Sequence, residues 1–319
     1  MKKKISIIVG GTGQFGISLS KILLNKNHKV IITTRNTTRA KKKINIKSKR
    51  LKIVKLDILQ KKQIYLLIQK YNPYQIFYFA GQSSPSISFK KIKETYLSNV
   101  KGCLNFLNVI CEKKINCKFI NASSSEIFAE TKKKISLNSK KKPISPYGKS
   151  KLISFKKTKF YRDKKNVKAY NAIIFNSESI YRNQNYLIPK ICMAAIKAYK
   201  YNKKTTFGNI DISREWNWCD EQVKYLLKFL NQKPQDFILS NGKSYSIRMM
   251  LSFAFKYFKL NYKNFVISDK NLFRKKDFNM KKSNSINCLK RNKISRVSKI
   301  YGTKIIYLII KHYLNEKKY

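Results

Sequence analysis

The sequence predicts an α/β fold, a doubly wound parallel sheet followed by a smaller α+β domain, and three observations predict it. Short apolar runs alternate with stretches of helical period up to about residue 175. The first run, Ile5-Ser6-Ile7-Ile8-Val9, ends in Gly10-Gly11-Thr12-Gly13-Gln14-Phe15-Gly16, a glycine-rich turn leading into a helix. Small or hydroxyl-bearing residues follow the later runs, at the strand ends where such sheets bind ligands.

Taken in order, the first run is a buried parallel strand, apolar throughout. An amphipathic helix is expected from about Ile17 to Asn25, and Lys29 to Thr34 is the second strand. Glycines at 10, 13 and 16 let backbone approach a pyrophosphate at the helix N-terminus, which makes the unit a dinucleotide site. Thr12, Gln14 and Phe15 share that turn. An NAD site usually carries Asp or Glu at the end of the second strand; Thr33-Thr34-Arg35 stands there instead. Arg35, helped by Arg39, suits a 2′-phosphate, so the expected cofactor is NADP, although Arg35 also reads as one more surface cation. Leu51 to Leu56 is the third strand, with Asp57 and Ile58 placed to meet the adenine. Gln75 to Gly81 is the fourth, ending in small residues where backbone can lie against the cofactor, with Gln82 next; a helix is expected from about Lys90 to Glu112. Lys118 to Ala122 is the fifth strand and runs into Ser123-Ser124-Ser125-Glu126. The first domain is drawn as 1–175 and the second as 176–319, with part of 205–235 returning to the first sheet.

Composition narrows the class. Of 319 residues 43% are hydrophobic and 13% aromatic, which excludes a disordered chain. No apolar run approaches the ~20 residues of a membrane span, so no membrane insertion is expected. The basic start, Met1 to Lys4, runs into the first strand and not into a cleavage site, and a cytoplasmic location is expected. Cys103, Cys111, Cys117, Cys192, Cys219 and Cys288 form no C-x-x-C pair and no ligand spacing, so reduced thiols and no metal site are expected. The net charge of +56 comes from 71 Lys+Arg against 15 Asp+Glu spread along the whole chain. No recognition motif accompanies it, and Lys, Ile and Asn are inflated together. Compositional drift therefore explains the charge better than specific nucleic-acid binding does.

The chemistry centres on Ser145-Pro146-Tyr147-Gly148-Lys149-Ser150-Lys151. Tyr147 and Lys151 are four apart and share one helix face, where an ammonium favours the phenolate. Bringing a phenol from about 10 to near neutrality corresponds to ~4 kcal/mol. The spacing recurs at Tyr161, Tyr186, Tyr199, Tyr307 and Tyr313, so it is the company of Tyr147 that marks it out. That company is Ser124 and Glu126, a hydroxyl and a carboxylate at a strand end. As an alternative, Glu126 reads as an ordinary helix-entry acid after serines.

With these residues assembled, the chain resembles the extended short-chain dehydrogenase/reductases and, among them, the GDP-mannose 4,6-dehydratases. The resemblance rests on Gly10 to Gly16, Gly81-Gln82-Ser83 with Ser88-Phe89, Ala122 to Glu126, and Ser145-Pro146-Tyr147 with Lys151. It continues through Phe175-Asn176-Ser177-Glu178-Ser179, Gly208-Asn209-Ile210-Asp211 with Arg214 and Trp216, Gln235-Asp236-Phe237 with Tyr245-Ser246-Ile247-Arg248, and Arg274 with Asp277. It implies a Rossmann domain binding NADP, a second domain binding a nucleotide sugar, GDP-mannose in this branch, and a homodimer or a tetramer. It also implies that Tyr147 takes the proton of the sugar 4-hydroxyl while the C4 hydride leaves. Glu126 then removes the C5 proton, water departs from C6, and the hydride returns to C6. Ser124 would bond the 4-oxygen. Ser83, Asn176, Glu178, Lys190, Asn209, Arg214, Arg274 and Asp277 would hold the substrate, arginine suiting diphosphate because its fork binds two oxygens. Trp216 and Trp218 are expected to pack in a core.

The sequence departs from the family pattern on the sugar and guanine side. Ser84 and Ser177 stand where histidines are usual, Ile180-Tyr181-Arg182-Asn183 replaces Pro-Arg-Arg-Gly, and Pro189 replaces an arginine. The arm after Arg35 is shorter and more basic. Two alternatives stay open: a GDP-4-keto-6-deoxymannose reductase or nucleotide-sugar epimerase of the same family, and a non-catalytic basic Rossmann protein that binds nucleic acid.

Overall fold

The computed structural model describes residues 4–129, 131, 133–273, 280–281 and 299–316. The chain packs as two units. One comprises Met1–Ala129, Ser139–Ile174 and Val223–Leu239; the other comprises Glu130–Asn138, Phe175–Gln222 and Ser240–Tyr319. The stretch that rejoins the first unit is 223–239, ending in the strand Asp236–Leu239.

The first unit is built on seven parallel strands. β1 (Ile5–Val9), β2 (Lys29–Thr34), β3 (Leu51–Lys55), β4 (Gln75–Tyr78), β5 (Lys118–Ser124), β6 (Ala169–Ile174) and the strand Asp236–Leu239 lie in the order last-6-5-4-1-2-3. Every pairing is parallel, so the sheet is doubly wound as the alternation predicts. The order reverses between β1 and β4, the switch point where the strand ends open a crevice. One face packs against α3 (Lys61–Tyr71) and α6 (Gly102–Glu112), through Ile64, Leu67, Ile68, Phe106, Leu107 and Ile110. α1 (Gln14–Asn25) packs on β1 and β2. It begins three residues before the expected Ile17, because the extended backbone of Gly13 caps it there.

Two local features shape the crevice. Where one helix is expected from Lys90 to Glu112, the chain makes α4 (Pro85–Lys90), breaks at Lys91, and resumes as α5 (Ile92–Tyr96), a wide π-turn (Leu97–Lys101) and α6. The π-turn has a physical cause. The Tyr78 hydroxyl donates to the Ser98 carbonyl at 2.6 Å, and the Gly102 amide bonds Leu97 instead. Beyond β5, α7 (Pro146–Lys165) is tied to the sheet by a buried polar ladder. The register partners Asn121, Asn171 and Asp236 are linked by amide-to-oxygen bonds of 2.9 Å each, and Arg162 of α7 closes the row on Asp236 at 2.7 Å.

The second unit gathers the helices Leu187–Tyr201, Ile247–Lys256 and Thr303–Asn315 around an apolar cluster that includes Trp216 and Trp218, the core role expected of both indoles. Its strands are short: Ser177–Glu178 beside Asn217–Trp218, Thr205–Phe207 beside Val266–Ser268, and Ser213–Glu215 between Ser244–Ser246 and Met280–Lys281. Among the described residues no helix is long and apolar enough to cross a membrane, and Cys103, Cys111, Cys117, Cys192 and Cys219 are free thiols.

Candidate active site

Gly10 has φ +79°, and a Cβ there would lie 2.6 Å from the Ala80 amide nitrogen, so β1 and β4 close on each other only with glycine at this position. Gly16 sits against the backbone of Gly11, which brings α1 down onto the turn. Gly13 differs: a Cβ there would meet nothing nearer than the Gly10 carbonyl at 3.6 Å. It is exposed, and no side chain caps the helix it begins. The first-turn amides of α1, with Thr12, Gln14 and Phe15 around them, therefore face a surface where a phosphate can lie against bare backbone. At the end of β2, Thr34 bonds the Asn36 amide at 3.2 Å while Arg35 is exposed; Asn36 in turn caps α2 (Thr37–Lys43) by accepting from the Arg39 amide. After β3, Asp57 accepts from the Leu59 amide at 2.9 Å, and the Ile58 carbonyl accepts from Asn105.

The loop after β4 is fixed by Asn99 of the π-turn. Its side-chain amide donates to the Gln82 carbonyl (3.1 Å) and to Ser150 Oγ (3.2 Å), and Gly81, at φ +148°, leaves room for the Asn99 side chain. The Gln82 amide nitrogen donates to Ser98 Oγ at 3.2 Å. Ser83 is exposed in the same loop. At the end of β5, Ser124 accepts from the Glu126 amide at 3.2 Å and so caps the single turn Ser125–Ile127 that presents Glu126 half-buried.

α7 brings the phenol to this carboxylate-bearing turn. Pro146 and the Ser145 cap set its start, with Ser145 Oγ accepting from Gly148 at 3.0 Å. A Cβ at Gly148 would lie 2.6 Å from the Glu126 carbonyl oxygen and 2.9 Å from Pro143. The glycine beside Tyr147 is thus packed directly on the backbone of Glu126. One turn on, Lys151 is buried; its Nζ donates to the Ala122 carbonyl at 2.8 Å and lies 5.9 Å from the centre of the Tyr147 ring. Burial pulls this ammonium down to about 8, with Cys103 nearby acting in the opposite direction. Ser124, Glu126, Tyr147 and Lys151 therefore cluster at one strand end, between β5 and the first two turns of α7.

Asn176, Glu178, Lys190, Asn209 and Arg214, expected to hold substrate, lie in the second unit, and Ser83 lies in the first. The Asn176 carbonyl accepts from the Asn217 amide at 3.0 Å. Glu178 is buried 3.2 Å from Arg182 Nε, and burial raises its carboxyl to about 7 against the pull of that guanidinium. Lys190 donates to the Thr206 carbonyl at 2.7 Å, Asn209 accepts from the Asp211 amide at 2.9 Å, and buried Arg214 donates to the Ser213 carbonyl at 2.8 Å. Arg274 and Asp277 lie outside the described residues. Of the departures from the family pattern, Ser84 caps α4, Ser177 is in a buried strand, Arg182 pairs with Glu178 and stacks 4.1 Å from the Tyr186 ring centre, and Pro189 is buried in the first turn of its helix.

Sequence reasoning gave no role to Asn99, Ser88 or Ser150, which hold the loop after β4 and the start of α7. The signal for Asn99 is weak but physical, since an asparagine inside an apolar helical stretch needs a buried partner.

Comparison with known proteins agrees with these motifs. The sequence model of the GDP-mannose 4,6 dehydratase family matches residues 7–297. The chain belongs to this family. It is 31% identical over 271 residues to the GDP-mannose 4,6 dehydratase of Drosophila melanogaster, covering 80% of this chain and 68% of that protein. Against GDP-mannose 4,6 dehydratase 1 of Arabidopsis thaliana it is 30% identical over 288 residues, 85% of this chain and 80% of the relative. The fold matches the dTDP-glucose 4,6-dehydratase of Streptomyces venezuelae, solved with NAD bound, with a TM-score of 0.85 at 16% identity over 98% of both chains. Membership of the dehydratase family makes the chain one of a family of hydro-lyases and gives the clustered hydroxyl, carboxylate, phenol and ammonium a chemical context.

Proposed function

We propose that this chain is an NADP-dependent nucleotide-sugar 4,6-dehydratase that converts GDP-mannose to its 4-keto-6-deoxy product. The observation that carries the reading is the packing of Gly148 on Glu126, which holds a carboxylate and a phenol at the same strand end with Lys151 behind the phenol. Family membership supports the sugar.

A dinucleotide fits the first unit. The bare backbone at Gly13, the uncapped first turn of α1 and the strand-end crevice at the switch point suit a pyrophosphate. Gly10 to Gly16, Asp57, Ile58, Ala80, Gly81 and Gln82 would line it, with Tyr147 and Lys151 at the reactive end. Arg35, exposed where an acid would bind a ribose hydroxyl, supports NADP over NAD. When bound, the nicotinamide supplies a temporary store for one hydride.

The chain's own residues supply the proton chemistry. Tyr147 accepts the proton of the 4-hydroxyl as the C4 hydride departs, and the Lys151 ammonium stabilises the phenolate. Ser124 donates a hydrogen bond to the resulting carbonyl oxygen. The ketone acidifies the C5 hydrogen, which the Glu126 carboxylate removes. A proton must then reach the C6 hydroxyl as it leaves as water, and the protonated Glu126 can supply it. Return of the hydride to C6 needs one further proton at C5, which balances the proton that Tyr147 took from the 4-hydroxyl and gives up. The first unit would hold the dinucleotide, and Asn176, Glu178, Lys190, Asn209, Arg214, Arg274 and Asp277 of the second would belong to the nucleotide-sugar side. Exposed Ile87, Phe89, Ile92 and Tyr96 of α4 and α5, with Ile153 and Phe160 of α7, support a homodimer through the first unit.

The test is incubation with GDP-mannose and a catalytic amount of NADP+, followed by mass spectrometry. A product one water lighter, formed without net NADPH, is expected; Glu126→Gln should bind cofactor normally and lose at least about a hundredfold in elimination. Turnover by that variant at the normal rate would refute the role given to Glu126. NADP+ should support turnover at lower concentration than NAD+, and Arg35→Ala should narrow that preference by about tenfold.

A further inference from the structure

The start of α7 is anchored from outside by one hydroxyl, and that anchor reaches the reactive residue itself. The first turn of a helix leaves its amides without partners. Here Pro146 has no N–H, and Gly148 donates to the Ser145 cap. The Tyr147 amide donates to Ser88 Oγ at 3.1 Å, and Ser88 is fully buried on α4, fifty-nine residues earlier in the chain. The same Oγ donates to the Pro85 carbonyl at 2.5 Å, so its direction is set within α4 and its lone pair faces Tyr147. On the other side of the residue, the Tyr147 carbonyl accepts from Ser150 Oγ at 2.7 Å, and Ser150 accepts from Asn99. Both backbone groups of Tyr147 are therefore held by buried hydroxyls. The Ser88 branch also leads to the cofactor-side loop, because Gln82 Nε2 donates to the Ser84 carbonyl (2.8 Å), which in turn accepts from the Ser88 amide (3.1 Å).

We propose that Ser88 is a positioning residue: its hydroxyl holds the Tyr147 backbone so that the phenol ring keeps its place beside Lys151. This rests on the dehydratase reading for its kinetic consequence, but the tie itself is a property of the folded chain. A misplacement on the order of 1 Å costs about a hundredfold in a positioned reaction, so loss of one hydrogen bond should be visible in turnover before it is visible in folding.

The test compares wild type with Ser88→Ala and Ser88→Cys, the second filling nearly the same volume with a weak acceptor. Three quantities are read: amide hydrogen exchange of the segment containing Tyr147, kcat and KM for GDP-mannose, and the pH profile of kcat. Both variants should expose the Tyr147 amide to faster exchange. They should lower kcat about tenfold or more with KM little changed, and move the apparent pKa of the base upward as the phenol drifts from Lys151. Unchanged exchange, or faster exchange with wild-type kcat and pH profile, would overturn the proposal, as would Ser88→Cys behaving as wild type, which would make the role one of packing. A wild-type chain that protects this amide yet is inert toward GDP-mannose would count against the substrate reading and in favour of the tie.

Discussion

Lys151 is asked to be charged and buried at once. In the proposed reaction its ammonium supports the phenolate of Tyr147, while burial holds its pKa near 8 against an ordinary 10.5. Because the folded value is the lower one, the unfolded chain binds more protons between pH ~8 and ~10.5, and stability from this group rises with pH across that window. Below it the burial costs ~3 kcal/mol, from a depression of about two and a half pH values. Lys151→Met should therefore be inactive yet more stable than wild type at pH 7, by ~1–2 kcal/mol once the lost bond to the Ala122 carbonyl is counted. That advantage should shrink as pH rises toward 10. Urea unfolding of both chains at pH 7 and pH 9.5 measures this; an advantage that grew with pH would contradict the burial account.

At the scale of elements, the turn after β5 and the start of α7 act as one piece because Gly148 lets them touch. Gly148→Ala would gain helix propensity, worth up to ~1 kcal/mol. It would also drive a methyl to within 2.6 Å of the Glu126 carbonyl, an overpacking that costs ~1–3 kcal/mol. A net destabilisation of about 1 kcal/mol with a larger fall in kcat is expected from urea unfolding and turnover together. A variant as stable and active as wild type would show that the contact does not position the site. Much of this architecture was legible in the sequence. The glycine turn, the strand β5 running into Ser124-Ser125-Glu126 and the Pro146-Tyr147 helix start each carry a local signal, in backbone freedom, apolar run or cap. The π-turn was not legible, since it depends on Tyr78, twenty residues earlier, reaching the Ser98 carbonyl. Nor was the Ser88 contact with Tyr147, which joins residues with no shared local pattern. Glu178 and Lys190 show the same limit in the second unit: the resemblance marks them as substrate residues, but only packing shows that Arg182 and the Thr206 carbonyl engage them.

For the whole molecule, the +56 charge and the fold ask separate questions. Charge spread along the entire chain predicts general attraction to polyanions that fades with salt, whereas the strand-end crevice predicts a defined ligand. The proposed dimer is tested by sedimentation: a species near twice 37.6 kDa is expected, reduced to monomer by Phe89→Glu with Ile92→Glu, and a monomeric wild type would refute it. In the proposed reaction one sugar lends and recovers the same hydride within a single turnover, with Tyr147 and Glu126 handling the protons. This can be followed with GDP-mannose carrying deuterium at C4, mixed with unlabelled substrate and catalytic NADP+. Deuterium recovered at C6 of the labelled molecules alone is the predicted result; deuterium scrambled among products, lost to solvent or accumulated in reduced cofactor would contradict it.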